Sequence, residues 1–332
     1  MAALADRYGR SFPYLRLSLL DACNFRCSYC LPDGYRAAQG CASAGTPRWL
    51  TREEIARLLR GFAAVGLRKL RLTGGEPSLR ADLTSIIADA AGTPGIEKIA
   101  LTSNGILLRR RLADWRAAGL TALNVSIDSL DRERFRVITG YDRGEEVREG
   151  VELALASGLP TVKLNAVLLR GLNDDELPAW LDYLRARRLT VRFIELMRTG
   201  ENRDYFQRHH LRAEALEQSL LQDGWSLLPR AADAGPAREY AHPQYRGRIG
   251  IIAPYSRDFC AGCNRLRVTA GGDLRLCLFG EFGIPLRPLL QSDAQIDELT
   301  ATLHAQLGLK QAGHGLHEGR TGLTPHLASI GG

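Results

Sequence analysis

The chain has 332 residues, 45% apolar and 24% charged, which fits a large globular domain with an appendage and excludes a disordered or fibrous chain. No run of about 18 apolar residues occurs, and Met1 to Arg10 carries charges without an apolar stretch, so neither a membrane span nor a secretory leader is expected. A formal net charge of +7 favours anionic partners such as nucleotides or nucleic acid, and charge alone does not choose between them.

Residues 14–20 alternate and predict a first strand. After it comes Asp21-Ala22-Cys23-Asn24-Phe25-Arg26-Cys27-Ser28-Tyr29-Cys30, with cysteines spaced C-x3-C-x2-C. That spacing lets one short loop turn three thiolates toward a common point, and thiolates suit iron–sulfur clusters or zinc. Three ligands on a [4Fe–4S] cube leave one iron open, whereas a structural zinc wants four protein ligands. No fourth Cys or His follows at zinc spacing; the next thiol is Cys41, beyond a Pro-Gly loop and without an assigned role. A zinc site completed from afar stays the alternative for this triplet.

Thr51-Arg52-Glu53-Glu54 reads as a capping box opening a helix to about Val65. A strand over 68–73 ends in Gly74-Gly75-Glu76-Pro77, and a helix follows over 80–91. The series continues with strand 97–102, helix 108–118, strand 121–127, helical segments to about 157, strand 161–168, helix 175–187 and strand 190–195. Such alternation predicts βαβ units and a parallel sheet. The expected fold class is α/β, an incomplete (β/α)6 TIM-like barrel with right-handed crossovers. A doubly wound open sheet is the alternative.

The strand faces favour the barrel. Leu15 and Leu17 oppose Arg16 and Ser18; Leu70 and Leu72 oppose Lys69, Arg71 and Thr73; Leu123 and Val125 oppose Asn124 and Ser126; Val162 and Leu164 oppose Lys163 and Asn165. A parallel sheet covered on both faces reads as continuous apolar runs, which these are not. The leucine faces are therefore expected under helices and the polar faces around a lumen. Strand 190–195 fits less well, because Ile194 shares parity with Arg192. Chemistry in such barrels sits at the C-terminal strand ends. Those ends carry the cysteine loop, Gly74-Gly75-Glu76, Thr102-Ser103-Asn104, Ser126-Ile127-Asp128 and Glu195 to Met197.

Beyond about 199 the βα rhythm stops. Residues 202–222 read as helical, 229–237 as a loop, and Arg248 to Pro254 as a short strand. Cys260, Cys263 and Cys277 then form a second triplet, C-x2-C-x13-C, again without a fourth ligand at usual spacing; zinc is its alternative too. Of seven cysteines six fall into the two triplets, which points to metal sites in a reducing compartment, not to a disulfide framework.

C-x3-C-x-aromatic-C just after a strand resembles the signature of radical S-adenosylmethionine (SAM) enzymes. The resemblance implies a [4Fe–4S] cluster on Cys23, Cys27 and Cys30, with SAM on its open iron. It implies Tyr29 near the adenine, Gly75 of the Gly-Gly-Glu motif at the SAM amino group, and Ser126 and Met197 beside SAM. The first triplet, the second triplet enclosing Asn264-Arg265-Leu266-Arg267, and a final Gly331-Gly332 together resemble the GTP 3′,8-cyclases, a family that opens molybdenum cofactor biosynthesis. That narrower resemblance covers nearly the whole chain. It implies a radical SAM barrel over 1–198 and, over 199–332, a C-terminal domain with a second [4Fe–4S] cluster on Cys260, Cys263 and Cys277. GTP contacts are implied for Arg16, Arg71, Thr102 and Lys163, and for Arg265 and Arg267 beside the second cluster, with Arg192 as a further candidate. The implied reaction takes the 3′ hydrogen of GTP through a 5′-deoxyadenosyl radical and joins C3′ to C8. A low-potential electron donor and a downstream cyclic pyranopterin monophosphate synthase are implied partners. A homodimer is compatible with the resemblance; no membrane or nucleic-acid partner is expected, and the location is cytoplasmic. Leu31-Pro32-Asp33 and a tail without Met depart from the commoner pattern. Two rivals are a radical SAM peptide-modifying enzyme and a zinc-binding nucleic-acid module.

Overall fold

A cap sets the first helix. Thr51 Oγ1 accepts from the Glu54 N–H (3.2 Å) and Glu54 Oε2 accepts from the Thr51 N–H (2.8 Å), so α1 (Arg52–Ala64) begins on a complete capping box. The structure is a computed structural model describing residues 3–36, 48–231 and 233–331; Cys41 and Gly332 lie outside these. Around α1 the chain alternates as expected: β1 (Tyr14–Ser18), β2 (Lys69–Thr73), α2 (Leu83–Ala91), β3 (Lys98–Ser103), α3 (Leu108–Ala117) and β4 (Ala122–Ser126). α4 (Arg132–Thr139), α5 (Gly144–Ala156), β5 (Thr161–Leu168), α6 (Leu177–Arg185) and β6 (Thr190–Glu195) complete the six units. All neighbours from β1 to β6 pair in parallel.

The leucine faces pack under the helices. Leu15, Leu17, Leu70, Leu72, Leu123, Val125 and Leu164 are fully buried, in one core with Ile55, Leu58 and Phe62 of α1 and Trp180 of α6. Each such burial contributes roughly 1.5–3 kcal/mol. The opposite faces line a lumen, so the partial barrel holds and the doubly wound alternative does not. Arg192 and Ile194 both line that lumen, which resolves the parity problem of β6: its lumen face is mixed.

Beyond residue 198 come α7 (Arg203–His209), α8 (Glu214–Gln222), β7 (Ser226–Leu227), β8 (Arg238–Ala241) and β9 (Arg248–Ile252). β10 (Arg265–Val268), β11 (Asp273–Arg275), β12 (Ile284–Pro285) and α9 (Ile296–Leu307) follow. These strands extend the same sheet at both edges: β9 runs parallel to β6, and β10 parallel to β1. Among the described residues the order is β12-β11-β10-β1-β2-β3-β4-β5-β6-β9-β8-β7, and the sheet is not closed. α9 had no counterpart in the sequence, and the pairing of β10 with β1 had none. α9 packs on α1, and Arg287 pairs with Glu54 of α1 (2.9 Å), fastening the late segment to the first helix. No helix among the described residues is long and apolar enough to cross a membrane.

Candidate active site

The first cysteine triplet follows β1 in a loop bound to its surroundings by backbone. Arg26 N–H donates to Thr139 O (3.1 Å), Ser28 N–H to Ile138 O (2.9 Å), Gly75 N–H to Leu20 O (2.8 Å) and Glu76 N–H to Ala22 O (2.8 Å). Gly75 is required there, since a Cβ would stand 2.2 Å from Ala22 O. Glu76 is buried and accepts from Ser103 Oγ (2.8 Å), Asn104 N–H (2.6 Å) and Ser78 N–H (3.0 Å), tying the loops after β2 and β3 together. Burial pushes the Cys23 thiol up to about 12 and Cys30 to about 11, and raises Cys27 well above the ordinary thiol value. A cationic metal centre reverses that preference and deprotonates its thiols. N–H donors are in place for thiolates, from Phe25 to Cys23 (3.4 Å) and from Leu327 and Ala328 to Cys30.

Cys260, Cys263 and Cys277 converge at the other end of the lumen, near enough for their charges to act on one another. Burial raises the Cys263 thiol, but the charges of Lys310, Arg265 and Arg10 outweigh it and favour the thiolate. Arg10 reaches there from the N-terminal segment. It donates to the carbonyls of Cys260 (3.1 Å), Ala312 (2.8 Å) and Gln311 (2.7 Å), and an ion pair with Asp6 (2.7 Å) holds it in place. Among the described residues no three His, Cys, Asp or Glu are set to grip a single metal ion. A [4Fe–4S] cube is wider than one ion and takes thiolates at separate corners. The donor sets of both triplets fit such clusters.

Against the second triplet lies a cavity of about 730 Å³, within the range of small-molecule sites. Arg16, Lys69, Arg71, Lys163, Arg192, Arg265 and Arg267 line it, together with Met197 and all three cysteines of the second triplet. Burial and mutual repulsion lower Arg16 to about 10 and Arg192 to about 9, and hold Arg267 well below the ordinary guanidinium value. Cations that destabilise one another in a buried lumen are relieved by a polyanion, so the electrostatics of this lumen favour an anion. Tyr14 stands among them, its Oη accepting from Arg71 Nε (2.5 Å). Burial alone would raise this phenol, but the charges of Arg71, Arg16 and Lys69 bring it down to about 6. Glu239 of β8 pairs with Lys163, and Asp233 with Lys98 (2.6 Å).

Gly331 reaches the cations of the same lumen. Gly331 O accepts from Arg16 Nη2 (2.9 Å) and Arg267 Nη1 (2.7 Å). Gly331 has φ +68°, and a Cβ there would stand 2.2 Å from Thr73 Cγ2.

The expected residues thus gather unevenly. Arg16, Arg71, Lys163, Arg265, Arg267, Met197 and the second triplet share the cavity. Thr102 stands one bond away, its hydroxyl accepting from Arg71 Nη1 (2.9 Å). Tyr29, Gly75, Ser126 and the first triplet sit at the C-terminal strand ends; Tyr29 Oη donates to Asp128 Oδ2 (3.0 Å). Tyr14 and Glu239 went unnoticed in the sequence. For Tyr14 the signal was there, since it shares parity with Arg16.

The Radical SAM superfamily model matches residues 17–184, and the Molybdenum Cofactor Synthesis C model matches 189–316. A GTP 3′,8-cyclase of Stenotrophomonas maltophilia (strain K279a) is 70% identical over 332 residues, 100% of both chains. One from Aeromonas hydrophila subsp. hydrophila is 55% identical, over 100% of this chain and 97% of the relative. Among solved structures, Streptococcus suis SuiB bound to S-adenosylmethionine shares the fold, with TM-score 0.63 and 12% identity over 90% of this chain and 68% of SuiB.

Proposed function

Because this chain belongs to the GTP 3′,8-cyclase family of radical SAM enzymes, we propose that it converts GTP to 3′,8-cyclo-7,8-dihydro-GTP, the first step of molybdenum cofactor biosynthesis. The observation that carries the reading is the single cavity lined both by a cysteine triplet and by a ring of buried cations. Cys23, Cys27 and Cys30 hold the SAM-binding [4Fe–4S] cluster, and Cys260, Cys263 and Cys277 hold a second one in the 199–332 domain. When bound, the first cluster and SAM supply the radical that removes a ribose hydrogen.

The chain's own residues bind and orient. Arg16, Arg71, Lys163, Arg192, Arg265 and Arg267 hold the triphosphate and the substrate beside the second triplet, and Thr102 fixes the Arg71 guanidinium. Arg265 and Arg267 both face the lumen because they stand two apart on β10. Tyr29, Gly75, Ser126 and Met197 bound the SAM site. A low-potential donor supplies the electrons, and the product passes to a cyclic pyranopterin monophosphate synthase.

The test is parallel measurement of iron per chain, 5′-deoxyadenosine, bound GTP and cyclised product after anaerobic purification. Ala at Cys260, Cys263 or Cys277 should leave the first cluster able to cleave SAM slowly, with no cyclised nucleotide. Ala at Arg265 or Arg267 should weaken GTP binding roughly ten- to a hundredfold, the loss of one charged hydrogen-bond partner, with iron unchanged. Cyclisation at the parent rate in the cysteine variants would make the second cluster structural.

Tyr14 adds a pH dependence. Below about pH 6 the phenol is neutral; above it the phenolate shares the lumen with the incoming triphosphate and competes for its cations. The GTP affinity of the parent, relative to Tyr14→Phe, should therefore fall from pH 5 to pH 7. At least about fivefold is expected, since even in bulk water unit charges 4 Å apart interact by about 1 kcal/mol. A ratio flat across that range would refute the competition.

A further inference from the structure

We propose that Asn124 binds a ribose hydroxyl of the nucleotide and so distinguishes ribo- from deoxyribonucleotides, an inference that rests on the GTP reading above. Asn124 is 2% exposed, lines the cavity, and its Oδ1 has no hydrogen-bond partner among the described residues. Leaving a buried carboxamide oxygen unmatched costs stability, so its retention in the lumen wall points to a ligand.

The groups nearest it in register have partners of their own; the one donor on Arg192 unmatched among the described residues, its Nε, belongs to β6, two strands from β4. In register, Asn124 lies between Thr102 of β3 and Lys163 of β5. Thr102 accepts from Arg71, Lys163 pairs with Glu239, and Arg192 donates to Asn165 Oδ1 (2.7 Å). An acceptor oxygen needs a donor. A triphosphate offers acceptors only, so the phosphates do not answer it. The nucleotide's donors are the guanine N–H groups and the ribose hydroxyls. We take the guanine to lie beside the second triplet; β10, which follows that triplet's first two cysteines, lies four strands from β4 in the sheet. The ribose must lie within reach of SAM, because its hydrogen is the one removed. Ser126, at the SAM end, is two residues along the same face of β4, about 6.6 Å from Asn124 at 3.3 Å per residue. That leaves the ribose hydroxyls as the group opposite Asn124.

The experiment compares binding of GTP, 2′-deoxyGTP and 3′-deoxyGTP to the anaerobically reconstituted holoenzyme and to Asn124→Leu, Asn124→Ala and Asn124→Asp. The parent should bind one deoxy analogue about tenfold more weakly than GTP. Leu and Ala should lower GTP affinity to the level of that analogue and leave the analogue's own affinity unchanged. Asp keeps an acceptor oxygen and should keep the ratio. Iron per chain and the thermal midpoint should not fall in Asn124→Leu, since its shape is kept and no internal partner is lost. Parent-like discrimination in the Leu and Ala variants overturns the proposal and leaves the GTP reading standing. Lost iron or a lowered midpoint in Asn124→Leu assigns a structural role and also overturns it. A parent that binds no GTP at all removes both readings.

Discussion

Replacing Cys23, Cys27 or Cys30 with Ala should abolish 5′-deoxyadenosine formation under dithionite. The loop that carries them is built by backbone bonds to Thr139, Ile138, Leu20 and Ala22, none of which uses a thiol. The three thiols are only partly exposed, and burial disfavours their charge until a metal centre takes it up. An Ala variant therefore keeps its fold and loses a ligand, and two thiolates do not hold a cube that needs three. Iron per chain should fall to about the content of one cluster, with the second triplet still loaded. The effect should be complete, not graded, because the proposed reading gives SAM cleavage to this cluster. Normal 5′-deoxyadenosine formation in any of the three variants would remove the assignment.

Deleting Gly331 and Gly332 should stop cyclisation while both clusters stay in place. Ordering a glycine costs roughly 1–2 kcal/mol, yet Gly331 is buried and its carbonyl takes two guanidinium bonds. Hydrogen bonds to charged groups contribute about 1.5–3 kcal/mol each, enough to hold the tail in. The two donors, Arg16 and Arg267, are themselves neighbours in the β1–β10 register and belong to the proposed triphosphate site. Removing their shared acceptor lets both side chains move. Misplacement by about 1 Å costs roughly a hundredfold in rate, so product should fall by at least that factor with iron unchanged. Cyclisation at the parent rate in the truncated protein would show that the tail is idle.

The six βα units were legible because β1, β2, β4 and the start of β5 alternate and helices of ordinary length separate the strands. Strand 190–195 misled only because Ile194, an apolar residue, lines the lumen beside Arg192. β10 was hidden for a different reason. Its four residues follow a cysteine knuckle directly, and nothing local says that Arg265–Val268 will pair with residues 14–17. The cysteines announced themselves by spacing; the cation ring was visible in part through parity on β1, β2 and β5. Glu239 and the unpartnered Asn124 were not, since a carboxylate's partner and an amide's lack of one depend on which strands meet across the lumen.

That meeting has a consequence for how the protein is made. β1 receives its second neighbour from Arg265–Val268, and Arg10 its carbonyls from Gln311 and Ala312. A ribosome adding about 5–20 residues per second takes roughly 10–50 s to pass from the first of these strands to the last. Throughout that interval the newborn sheet presents a bare row of N–H and C=O groups along β1, a template for pairing with any other nascent chain. Such distant closure also slows folding after release. A chain stopped before residue 265 is thus no smaller working barrel: it keeps the bare edge and becomes a substrate for chaperones and proteases.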